Sequence, residues 1–104
     1  MGRDQARSKV AEAGITADTV TDDQLKTLRR LINKHLKASG IYSGTARLRR
    51  ARKDMKFIEM QTNQWECREA VSFNRDGFIG IAGWADKRNV RPLVEAVAEW
   101  AALH

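Results

Sequence analysis

The residues best suited to chemistry in this chain are its cations. The stretch TARLRRARKDMK (45–56) holds Arg47, Arg49, Arg50, Arg52, Lys53 and Lys56 against one acid, Asp54. Upstream, Lys26, Arg30, Lys34 and Lys37 follow at i, i+4, i+8 and i+11, with Arg29 beside them. A guanidinium is a planar fork that holds phosphate or carboxylate bidentately, and an ammonium acts as a point charge. The chemistry offered is anion recognition. Residues 26–56 carry 11 cations and 1 anion, or +10; the rest carry 8 cations and 12 anions, or −4, which together make the formal +6. Such segregation is the electrostatic footprint of a surface that faces a polyanion. A solvated basic face has the same composition, because like charges at i,i+4 cost a helix only about 0.2–0.5 kcal/mol per pair. A third group, Lys87, Arg88 and Arg91 in DKRNVR, falls at the start of the last predicted helix. Free backbone N–H groups and cations converge at such a place and make an anion site.

Other chemistry is poorly supplied. His35 and His104 are the only histidines and Cys67 the only cysteine. No intrachain disulfide can form, no zinc spacing exists, and no glycine-rich loop precedes a Lys-Ser/Thr pair. Asp54, Glu59, Glu66 and Glu69 are the one candidate carboxylate cluster, but Glu66 and Glu69 fall on opposite faces of a strand and do not converge. A non-enzymatic protein with no metal and no cofactor is therefore expected. His35 reads as a helix-surface residue and Cys67 as a small core residue. Trp65, Trp84 and Trp100 could stack on bases, yet each occupies a position where a core residue is expected.

A chain of 104 residues suits one domain that buries roughly 65% of its unfolded surface. Residues 1–20 are weakly patterned and read as a loose or short helical arm; residues 21–104 form the domain. Thr21 and Gln24 have capping-box spacing, Asp22 and Asp23 suit the positive end of a helix dipole, and Leu25, Leu28, Leu31, Ile32 and Leu36 share one face. The spacing predicts a helix over 22–39, stopped by Gly40. Ser43-Gly44 reads as a turn, and the segment from Arg47 to Lys53 as an edge strand or a loop. Strands are predicted over 55–62, 64–73 and 78–85, with NRDG (74–77) as a bulged hairpin turn and a weaker turn at Thr62-Asn63. The second strand places Trp65, Cys67, Val71 and Phe73 on one face, with Glu69 as an exception. Val90, Leu93, Val94, Val97, Trp100 and Ala101 make the stripe of a final helix, with Asn89 as its N-cap and Pro92 in its first turn. The expected fold is α+β: a three-stranded antiparallel meander with two helices packed on one face, in the order α-β-β-β-α.

That order, with the cations that open the last helix, is similar to the double-stranded RNA-binding domain. Lys87, Arg88 and Arg91 resemble that family's Lys-Lys-x-Ala-Lys pattern, with Val90 at the Ala position. The likeness covers about the last third of the chain. It implies phosphate contacts from these three cations. Pro92 departs from the pattern, as does the short connection between the first two strands.

Two functions follow as expectations. The first is a small basic binding module that contacts nucleic-acid phosphates through Lys26, Arg29, Arg30, Lys34, Lys37, Arg47, Arg49, Arg50, Arg52 and Lys53, with Lys87, Arg88 and Arg91 as further contacts. The second is a protein-interaction module, a small regulator or inhibitor of an acidic or nucleic-acid-handling partner, anchored by Ile41 and Tyr42. A homodimer is compatible with either. MGRDQARSKVAEAG has no apolar core of signal-peptide length, and no run of about 18 apolar residues occurs. A cytoplasmic location without membrane contact is expected.

Overall fold

The computed structural model describes residues 2–40, 46–52, 55–61, 67–73, 79–81 and 87–104; segments 46–52, 55–61, 67–70 and 87–90 are described by their backbone. The first element, α1 (Arg3–Glu12), buries Ala6 and Val10, a single i,i+4 pair of small apolar residues. The Gln5 side chain accepts from the Gly2 N–H at 3.0 Å, and Arg7 Nε donates to the Ile79 carbonyl at 3.0 Å. A turn follows in which Thr16 and Thr19 bond one another, and it buries Ile15, Ala17 and Val20.

Helix α2 (Asp22–Ser39) occupies the range its apolar spacing predicts. Thr21 Oγ1 accepts from the Gln24 N–H at 3.1 Å, and Gln24 Oε1 accepts from the Thr21 N–H at 2.9 Å, so the capping box is closed in both directions. Gly40 ends the helix at φ 64°, in the left-handed region that glycine enters without steric cost.

Strands β1 (Ala46–Arg52), β2 (Met55–Gln61), β3 (Cys67–Phe73) and β4 (Ile79–Ile81) form one antiparallel sheet in the order β1-β2-β3-β4. Helix α3 (Lys87–Ala102) closes the chain. The observed order is α-α-β-β-β-β-α, with three helices and four strands. This corrects the expected three-stranded, two-helix arrangement, and only the broad α+β class stands. The extra helix is α1, whose two small buried residues leave little amphipathic signal. The extra strand is β1, at the sheet edge, which is one of the two readings, edge strand or loop, that the segment from Arg47 to Lys53 allows. The order implied by the likeness to the double-stranded RNA-binding domain fails with it. Asn89 is inside α3 and not its cap, and Pro92 is buried within the helix instead of the first turn. Proline there cannot donate to the carbonyl four residues back, at Arg88.

Register gives the sheet its two faces, because directly opposed residues share a face and neighbours alternate. One row runs Leu48–Ile58–Val71–Ile81 across all four strands, and Val71 and Ile81 are buried. The next runs Arg49–Phe57–Ser72–Gly80, and Ser72 and Gly80 are half-buried. The helices pack on the first face. Leu25, Leu28, Ile32, Leu36, Leu93, Val97 and Trp100 join Val71, Phe73, Ile79 and Ile81 in one core. Ile58 faces Val71 but Glu59 faces Glu69, so Ala70 is an extra residue in β3. This bulge reverses the alternation. Glu69 and Cys67 therefore lie in register on the face opposite Val71 and Phe73. The predicted stripe that put Cys67 with Val71 and Phe73 is corrected accordingly, and the Glu69 exception is explained.

The turns predicted at Ser43-Gly44, Thr62-Asn63 and 74–77, together with Ile41, Tyr42, Lys53, Asp54, Trp65, Glu66 and Trp84, lie outside the described residues.

Candidate functional site

The apolar side of α2 is committed to the core, so its cations must take the other side. Lys26, Arg29, Arg30 and Lys37 are all exposed. Lys26, Arg29 and Arg30 line one shallow groove with Thr27 and Asn33. Among the described residues no carboxylate pairs with any of these four cations. The groove therefore gathers positive charge on one helix face, with no carboxylate paired to it among the described residues.

Lys34 belongs to a different environment. Its Nζ lies 2.7 Å from Glu99 Oε1 on α3. Beside it, His35 Nε2 donates to Glu99 Oε2 at 2.6 Å, and His35 Nδ1 lies 3.5 Å from Glu95 Oε2. Arg91 Nε donates to Glu95 Oε1 at 3.0 Å. Lys34 and His35 on α2 thus face Glu95 and Glu99 on α3, with Arg91 at the far end. The expectation of His35 as a plain surface residue is corrected, because its side chain is only 20% exposed and is held by carboxylates of the neighbouring helix. Leu28, Leu31 and His35 stand at i, i+3 and i+7, which already places His35 on the buried side. Arg91, Glu95 and Glu99 repeat every four residues, the corresponding signal on α3. His35 and Arg91 also line a cleft of about 280 Å³ with Ala38, Ser39, Pro92 and Glu95. Arg91 and the groove cations therefore serve different depressions of the surface.

Glu99 is held below its ordinary carboxyl value of 4.5, first by its hydrogen bond with Lys34 and then by that with His35, with desolvation opposing them and the charges of the same two partners adding to them. A depressed carboxyl binds fewer protons folded than unfolded in the acid range. Its stabilisation is present above the unfolded value and is lost as pH falls through the lower folded one. Urea denaturation of the wild type and Glu99→Gln, from pH 7 downward, is expected to give curves that converge below about pH 4.5, as the wild type loses its advantage. A difference that does not vary with pH would contradict this assignment.

Of the remaining predicted contacts, Arg47, Arg49 and Arg52 stand across from Glu59, Phe57 and Met55 respectively. By alternation along β2 these three arginines share the face opposite the core. Arg50 falls at the register shift between Arg49 and Arg52. Lys87 and Arg88 are the first two residues of α3. Among the described residues no group of three or more His, Cys, Asp or Glu is arranged to hold a metal ion, and no helix is long and apolar enough to cross a membrane. Compared with known proteins, the chain matches no family, no curated protein and no solved structure closely enough to mark a relative.

Proposed function

We propose that this chain is a small non-enzymatic protein that binds nucleic acid through its phosphates, with the exposed face of α2 as the primary contact. The observation that carries this reading is the contrast within one helix. Lys34 is matched by an acid of α3, whereas Lys26, Arg29, Arg30 and Lys37 have no carboxylate among the described residues. Cations collected on one rigid surface repel one another until a polyanion neutralises them. Arg47, Arg49 and Arg52, which backbone register puts on the sheet face opposite the core, extend the same chemistry in this reading.

Such binding releases condensed counterions and weakens steeply with salt. Four phosphate contacts from α2 are expected to lower duplex affinity about a hundredfold between about 50 and about 200 mM salt. Fluorescence anisotropy with labelled duplex and single-stranded DNA and RNA reads this directly. Absence of binding to all of them at low salt would sink the proposal.

A further inference from the structure

The exposed side of α2 is ordered in a way that phosphate contact alone does not require. At 3.6 residues per turn, Lys26, Asn33 and Lys37 fall within about 20° of one line along the helix, which rises about 16 Å between the two lysines. Arg29 stands about 60° to one side of that line and Arg30 about 40° to the other. Leu25, Leu28, Leu31, Ile32 and Leu36 are buried on the opposite side, so the line is the crest of the surface that α2 turns away from the core. The four cations are exposed, and Asn33 is half-buried in the groove that Lys26, Arg29 and Arg30 line. Asp22 and Asp23 stand one turn before Lys26, and no acid follows them in the helix, so the contact face begins at Lys26. Helix α2 has no Phe, Tyr or Trp, and its one ring, His35, is held by Glu95 and Glu99. This face therefore offers no aromatic ring for an unpaired base to stack on, the usual device for holding single strands.

We infer that the polymer is duplex DNA, and that α2 lies along its major groove with Asn33 toward the base edges. A helix with its side chains is about 10–12 Å across, and the B-form major groove is about 12 Å wide. That groove has a phosphate backbone on each side and base edges on its floor. A crest with one arginine on each flank has the same order: Arg29 and Arg30 address the two backbones, and the crest addresses the floor. Lys26 and Lys37, at the two ends of the crest, carry their charges on long stems that reach phosphates beyond it. An amide in the middle of a cationic face adds nothing to charge attraction. It does match adenine, whose major-groove edge pairs one donor and one acceptor with those of an Asn side chain. Asn33 has an interaction within the protein, but its two N–H donors and its carbonyl acceptor exceed what one contact uses. A-form RNA closes this route, because its major groove is too deep and narrow for side chains to read. This inference rests on the phosphate-binding reading above and narrows it to a polymer class and a mode of contact.

The test measures binding of the intact chain to a random-sequence DNA duplex pool, a duplex RNA of equal length, a single strand of equal length, and inorganic polyphosphate. Duplexes selected from the DNA pool are expected to share an adenine at one position, and exchanging that base pair should weaken binding about tenfold. Replacing the adenine by 7-deaza-adenine swaps its major-groove N7 acceptor for C–H and leaves the minor groove unchanged. That replacement should weaken the wild type about fivefold, and this arm needs no variant. Asn33→Ala should lose about tenfold on the selected duplex, respond no further to 7-deaza-adenine, and bind polyphosphate as the wild type does. Selected duplexes with no shared position, or indifference of the wild type to 7-deaza-adenine, overturn the major-groove contact. So does an adenine preference that survives in Asn33→Ala, or an Asn33→Ala loss that is equal on polyphosphate. Duplex RNA or a single strand bound as tightly as the selected duplex overturns the polymer class. If all four probes bind alike, this inference falls and the phosphate-binding reading survives. If no probe binds at low salt, both fall.

Discussion

Trp100→Ala is expected to destabilise the fold by about 3–5 kcal/mol, the range for truncating a large buried aromatic. Trp100 is fully buried. Its ring meets Phe73 of β3 edge-on, with centroids 5.9 Å apart and an interplanar angle of 69°. Its Nε1 donates to the Gln24 carbonyl in the first turn of α2 at 2.9 Å. One side chain of α3 thus fixes both the sheet and the start of the basic helix. Removing it leaves a cavity where three elements meet, so no single neighbour can move in without disturbing the other two. A loss of this size is a large share of the roughly 5–15 kcal/mol available to a domain. Urea unfolding followed by circular dichroism would measure it. Trp100→Phe keeps most of the apolar contact and loses the hydrogen bond, so its cost should be about 1–2 kcal/mol. A Trp100→Ala cost below about 1 kcal/mol would mean that the α2–α3–sheet junction is not packed as described.

The second large effect concerns binding. Arg29→Glu with Arg30→Glu changes two exposed side chains of one groove and touches no core residue. Stability should stay within about 0.5 kcal/mol of the wild type. Nucleic-acid affinity at low salt should fall at least about tenfold, and the duplex salt slope should flatten by about two. The salt slope separates lost phosphate contacts from general damage, because a misfolded fraction lowers apparent affinity without changing the slope. Lys34→Gln is the informative contrast. That ammonium already sits on Glu99, so its removal should change binding much less than either groove arginine. Equal effects at all three positions would place the contact surface elsewhere on the chain.

Much of α2 was legible from its residues. A capping pair, an apolar stripe and a terminal glycine each signal the same helix, and local rules of this kind need no partner element. The charge segregation was legible too, since it is a property of composition along the chain. Helix α1 was legible only as one of two readings of the arm, loose or short helical, because Ala6 and Val10 alone give a weak stripe; what stabilises it is packing against the rest of the core. The bulge at Ala70 was out of reach. A register shift is a relation between two strands, and no single strand's alternation reveals it.

The chain's own residues determined where the cations lie along it, where α2 starts and stops, and which of its residues face inward. Those follow from helical periodicity and capping, which act over a few residues. Only the tertiary structure decided which cations of α2 meet a carboxylate among the described residues. Lys26 and Lys34 are alike in sequence, eight residues apart on one stripe, yet Lys34 meets Glu99 and Lys26 meets no carboxylate among the described residues. The same holds for Phe57, whose neighbours Arg49 and Ser72 come from two other strands. Coulombic compensation and cross-strand adjacency depend on distance in space, and folding alone sets that distance.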